Sequence, residues 1–112
     1  MATLTEQVIT RDGIEPSLSS AAGGGDQFLN TGNQYVEVTN GSGSSITVTF
    51  AAQKSVDGLD LPDDTLVVPA GETRKAGPFL PSTFNDSNGY LQITYSGVTS
   101  LTVGIFRFNG YA

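Results

Sequence analysis

From Asp26 onward, apolar and polar positions alternate with a period of two in one short run after another, the pattern of half-buried β-strands. Asn33-Gln34-Tyr35-Val36-Glu37-Val38-Thr39 turns Val36 and Val38 inward, and Ile46-Thr47-Val48-Thr49-Phe50 sets one apolar face against a threonine face. The Asn40-Gly41 turn between them predicts that these two runs pair as an antiparallel hairpin. Thr65-Leu66-Val67-Val68 reads as a short strand that stops at Pro69-Ala70-Gly71-Glu72, a turn in which Pro presets φ. Thr73 to Phe79 continues as a polar strand, placed on a sheet edge because Gly77-Pro78 ends its ladder. Tyr90 to Tyr95 and Leu101 to Phe108, separated by Ser96-Gly97-Val98-Thr99-Ser100, predict a second hairpin. With no long amphipathic helix in the chain, these strands predict an all-β fold, a single antiparallel β-sandwich or jelly-roll-like barrel. The expected inward set is Val36, Val38, Ile46, Val48, Phe50, Leu66, Val68, Leu91, Ile93, Tyr95, Leu101, Val103 and Ile105.

Residues 1–25 behave differently. Leu4, Val8, Ile9, Ile14 and Leu18 are isolated apolar positions among Thr, Ser, Glu and Asp, and they run into the small-residue stretch Ser19 to Gly25. Such a segment builds no core of its own, and its glycines make a flexible hinge. The division predicted is therefore an extended N-terminal arm with its hinge, 1–25, followed by a β-domain, 26–112. A tail that only solubilises carries mostly charge. The apolar anchors here, with Pro16 stiffening the stretch from Ile14 to Leu18, point instead to an arm that orders on a partner. Leu4, Val8, Ile9, Ile14, Pro16 and Leu18 are its expected contact residues.

The last predicted strand asks for cover on both faces. Leu101, Val103 and Ile105 line one side, while Phe106 and Phe108 fall on the other. Phe106, Phe108 and Tyr111 are accordingly candidates for a subunit or partner contact. The alternative is that the arm, or the loop of residues 53–64, folds over them.

Composition narrows the chemistry. The 112 residues contain no Cys and no His, which removes disulfides, thiolate metal sites, thiol catalysis and the commonest general base. A net charge of −6 with five basic residues argues against nucleic acid and against an anionic membrane surface. No window approaches the roughly 20 apolar residues of a membrane helix, and no basic run precedes an apolar stretch at the N-terminus, so the chain is expected to stay in the compartment where it is made. Asp57, Asp60, Asp63 and Asp64 form the densest acidic cluster, but their spacing fits no EF-hand and reads as a solvated loop. Glu37, Glu72 and these aspartates are not placed in pairs across a cleft by anything in the pattern, so neither enzyme activity, cofactor nor metal is expected. Tyr35, Tyr90 and Tyr95 near many Ser and Thr hydroxyls leave a carbohydrate-binding face as an alternative.

The order of these pieces resembles a family of small virion proteins of tailed bacteriophages found with capsid genes. The resembling run opens at Ala21-Ala22-Gly23-Gly24-Gly25-Asp26-Gln27-Phe28-Leu29-Asn30-Thr31-Gly32, where the family has a Gly-Gly-Asp, an aromatic and Asn-Asp-Gly. It continues through Tyr35 to Gly41, Ile46 to Thr49, Gln53 to Leu59, Val68 to Glu72, Gly77-Pro78-Phe79, Phe84-Asn85-Asp86, Leu91 to Ser96 and Val98 to Val103. Asn30-Thr31-Gly32 departs from the family's Asn-Asp-Gly. The resemblance implies a virion structural role, a capsid decoration or cement protein on the outer surface where capsomers meet. Its partner would be the major capsid protein, with a fibre-associated or head–tail position as the alternative. A small β-domain gains stability when copies associate around a symmetry axis, and the resemblance implies a homo-oligomer, a trimer foremost. An arm spanning about 3.3 to 3.6 Å per residue reaches adjacent capsomers and would clamp them.

Overall fold

The computed structural model describes residues 2–108, and the chain within them is all-β with one short helix. Its strands are β1 (Ala2–Leu4), β2 (Glu6–Ile9), β3 (Ser19–Ser20), β4 (Asp26–Leu29), β5 (Gln34–Asn40) and β6 (Ile46–Phe50). They continue with β7 (Ser55–Val56), β8 (Leu59–Asp60), β9 (Asp64–Val68), β10 (Thr73–Ala76), β11 (Tyr90–Tyr95) and β12 (Leu101–Phe108). The helix α1, Pro81–Phe84, stands between β10 and β11 with Pro at its first turn, where a missing N–H costs nothing.

Three sheets result. The first has the order β1-β4-β11-β6-β9; the second has β10-β5-β12-β2, with β3 also on β12; β7 and β8 form a separate hairpin. Neither large sheet closes into a barrel. The inward residues of both large sheets make one hydrophobic cluster: Phe28, Ile46, Val48, Phe50, Val68, Leu91 and Ile93 from the first, Val36, Val38, Leu101, Val103 and Ile105 from the second. The burial of β5 and β6 alternates strictly, so the period-two pattern fixes which side chains enter the core. Leu66 and Tyr95, expected inside, lie at the margin of the cluster, and Phe28 and Phe79 join it instead. Phe79 packs 4.5 Å from Phe50 and 5.4 Å from Phe84, centroid to centroid, so the loop after β10 plugs one end of the core.

Both expected hairpins are corrected. β5 pairs with β10 and β12, whereas β6 pairs with β9 and β11, so the Asn40-Gly41 turn carries the chain from one sheet to the other. β11 and β12 likewise belong to different sheets. A strand with one apolar face buries it equally well beside its neighbour or opposite it, and alternation alone does not choose. Here Asn40 chooses. Fully buried, its amide donates to the Ser44 carbonyl at 2.8 Å and to the Val68 carbonyl at 2.9 Å, while its Oδ1 accepts from the Ser42 N–H and hydroxyl. The turn is thereby bound to β9 of the opposite sheet. The expectation that β10 sits on an edge holds, with Arg74 and Lys75 on it as charges that discourage further strand pairing.

The wholly antiparallel architecture is corrected as well. β1 runs parallel to β4 and β2 parallel to β12. Within residues 1–25, expected as an extended arm with its hinge, three short edge strands form: β1 completes one large sheet, and β2 and β3 lie end to end along the free side of β12 in the other. The physical reason is the unpaired edges of β4 and β12, which offer backbone donors and acceptors close to where the segment leaves the body.

Candidate functional site

The N-terminal segment is held by side-chain chemistry in addition to its ladders. Glu6 pairs with Arg107, and its other carboxylate oxygen accepts from the Gln34 amide at 2.5 Å. Gln7 grips the returning loop in both directions, donating to the Ser17 carbonyl at 2.7 Å and accepting from the Ser17 N–H at 2.8 Å. The Ala2 N–H and the Ala22 N–H each donate to the buried Asp26 carboxylate at 3.2 Å. The Tyr95 hydroxyl donates to the same carboxylate at 2.7 Å. Burial, then that hydrogen bond and the adjacent negative charge, push the Tyr95 phenol far above its ordinary range.

Each expected arm residue can now be placed. Leu4 packs on the margin of the core cluster. Val8 and Ile9 lie on β2 against β12, half-buried. Ile14 and Pro16 stand over the outer face of the second sheet and, with Ile9, Tyr35 and Phe106, line a groove of about 260 Å³ rimmed by the Glu37–Lys75 ion pair at 3.3 Å. Leu18 sits over Gly104, so close that a Cβ there would meet Leu18 Cδ2 at 2.6 Å. This contact explains a glycine in the middle of the longest strand.

Of the three interface candidates, Phe106 is covered. It is 2 % exposed, stacked on Tyr35 with centroids 5.5 Å apart, and roofed by the chain's own N-terminal segment. The alternative reading, that the arm folds over it, describes this side chain within the single chain. Phe108 is the opposite case, 66 % exposed at the end of β12. Tyr111 lies outside the described residues.

The segment of residues 53–64 is not a plain loop. Asp57 and Gly58 both have positive φ, 53° and 79°, the turn that suits a two-residue hairpin, and β7 and β8 pair across it. Val56 and Leu59 are direct cross-strand partners beside that turn. They are 49 % and 74 % exposed, and every residue from Gln53 to Asp60 is exposed. Asp57, Asp60, Asp63 and Asp64 lie close to this apolar pair in the sequence, with Lys54 as the nearest cation along the chain. Asp63 has a structural task, accepting from the Ala52 N–H at 2.9 Å where the hairpin leaves the body. Among the described residues no group of His, Cys, Asp and Glu is arranged to hold a metal ion, and no helix is long and apolar enough to cross a membrane.

The three tyrosines of the carbohydrate alternative do not share a face. Tyr35 lies on the outer side of the second sheet beneath the N-terminal loop, Tyr90 belongs to the first sheet opposite Leu29, and Tyr95 is tied to Asp26 at the core margin. The outer face of the first sheet is a ladder of short polar side chains. Gln92 donates to Gln27 at 2.8 Å and Gln27 donates to Thr3 at 3.0 Å, while Thr94, Thr49 and Thr65 stand in one cross-strand row. Comparison of this chain with protein-family models, with curated proteins and with solved structures found no match.

Proposed function

We propose that this chain is a structural, protein-binding module, a capsid decoration protein of a tailed bacteriophage that sits on the outer capsid surface and contacts the major capsid protein. The single observation that carries the protein-binding part is the Val56–Leu59 pair. Two large apolar side chains sit side by side on a hairpin outside the core, where they remain open to solvent. Their use is with another molecule. The capsid assignment rests on the family resemblance of the run from Ala21 to Val103. The two large sheets, sharing one buried cluster, are read as the layers of a β-sandwich. In this reading the N-terminal segment is the arm that clamps adjacent capsomers, in an assembly of several copies, a trimer foremost. The surface chemistry suits the role: a net charge of −6 and threonine rows keep a particle soluble and non-adhesive.

The test is cosedimentation of the purified chain with capsid shells of its phage from which the protein has been stripped. The full chain is expected to pellet saturably with the shells. The double variant Val56→Ser, Leu59→Ser should lose affinity about tenfold or more, as truncating a buried anchor does, with an unchanged far-UV spectrum. A full chain that stays in the supernatant at every concentration overturns the capsid reading.

A further inference from the structure

We propose that residues 2–21 are exchanged between copies of this chain, the N-terminal segment of one copy pairing on the β4 and β12 edges of a second while receiving that copy's segment in return. Four observations point to it. No residue of the segment is buried, and the buried members of the core cluster all come from Phe28 to Ile105, with only Leu4 and Ala21 of the segment packed on its margin, so the body keeps most of its core when the segment leaves. Both of its longer pairings, β1 on β4 and β2 on β12, are parallel edge pairings, so no hairpin turn ties them to the strands they cover. The connection to the body is Ala22-Gly23-Gly24, exposed at both glycines with open space around Gly23, and it ends at the buried Gly25. Extended, those three residues span about 10 to 11 Å, enough to pass to a closely apposed copy.

The vacated site also selects its occupant. Arg107 would lose Glu6, the buried Asp26 carboxylate would lose the Ala2 N–H, Phe106 would lose Ile9, Ile14 and Pro16, and the hollow over Gly104 would lose Leu18. A segment of another sequence leaves the charge and the hollow unmatched. A second copy's segment restores all of them, so the exchanged and closed forms contain the same contacts and differ only at the hinge. That equivalence makes exchange a low-cost route to assembly, favoured by mass action as local concentration rises. The inference does not rest on the capsid reading; it needs only two copies.

The chain's lack of cysteine makes the test clean. Thr3 and Gln27 are register partners on the outer face of the first sheet. Full-length Thr3→Cys and Gln27→Cys chains are mixed, warmed to permit opening, cooled and oxidised. A control mixture pairs Thr3→Cys with Thr65→Cys, on the far edge of the same sheet. Both mixtures are run with the natural hinge and with Gly23 and Gly24 deleted, a shortening that disfavours folding back. Exchange predicts a disulfide-linked heterodimer of the 3 and 27 variants at least tenfold above the control with either hinge. Yields at the control level with both hinges overturn the proposal, whatever the shells of the preceding test do.

Discussion

At the residue scale, the buried polar groups decide more than their number suggests. Asp26, Asn30, Gln34 and Asn40 are the buried polar side chains among the described residues, and each is satisfied. Asn30 and Asn85 lock two loops by exchanging hydrogen bonds, Asn30 Nδ2 to Asn85 Oδ1 at 2.8 Å and Asn85 Nδ2 to the Asn30 carbonyl at 2.9 Å. Such groups are costly to orphan, so they fix loop paths that apolar packing leaves open. Asp86 works at the surface. The Tyr90 N–H first, then the Gln92 amide, hold its carboxyl below the usual range. Tyr95 yields a pH prediction. Its phenol is raised, so the native state keeps a proton that the unfolded chain loses near pH 10, and the stability it contributes is present below about pH 10 and lost as pH rises further. Tyr95→Phe removes both the titration and the bond to Asp26. Urea midpoints should place the variant about 1.5 to 3 kcal/mol below the natural chain at pH 8, with the gap narrowing above pH 10. A constant gap would remove the role assigned to Tyr95.

At the element scale, β12 organises the second sheet, with β5 on one side and both β2 and β3 on the other. Its outer face must receive a returning loop, and Gly104 makes the room. A strand position ordinarily gains from a β-branched residue. Here Gly104→Val puts a Cβ within 3.1 Å of Phe106 Cε2 and 3.2 Å of the Ser17 carbonyl, besides its clash with Leu18. The variant should lose about 1 to 3 kcal/mol, as overpacked sites do, measured by urea unfolding; a stabilised variant would mean the loop does not lie there. This contact was half legible. The sequence marked Phe106 and Phe108 as needing cover and offered the arm as one source. It did not separate their fates, because whether a loop covers one residue and misses the next but one depends on where Gln7 catches Ser17. The Asp57-Gly58 hairpin was legible and missed: read for carboxylates, the pair hid its turn chemistry, and with it the exposure of Val56 and Leu59.

At the scale of the whole molecule, the N-terminal segment joins the two large sheets along one side, because β1 lies in one and β2 in the other with only Thr5 between them. A free arm could be cut away without consequence for the body. A segment that completes both sheets cannot. Deleting residues 1–20 bares Phe106 and the edges of β4 and β12, and should cost about 2 kcal/mol or more from lost apolar burial alone. The truncated chain should also associate with rising concentration, as unpaired edges do. Equilibrium urea unfolding and light scattering check both. An unchanged midpoint with a monomeric truncated chain would return the segment to the status of a free arm.

What the sequence by itself determined is the all-β class, the positions of β5, β6, β9, β11 and β12, the edge position of β10 and nearly all of the inward residues. These follow from local rules, since a period of two and a turn residue act within a few positions of themselves. What the tertiary structure alone decided is which strands lie side by side and what becomes of the first twenty residues. Val36 and Val48 are equally inward whether their strands pair or face each other, and a weakly patterned segment such as Glu6–Ile9 becomes a strand because β12 leaves an edge for it. Pairing is a property of what two distant stretches find when they meet, and no local pattern carries it.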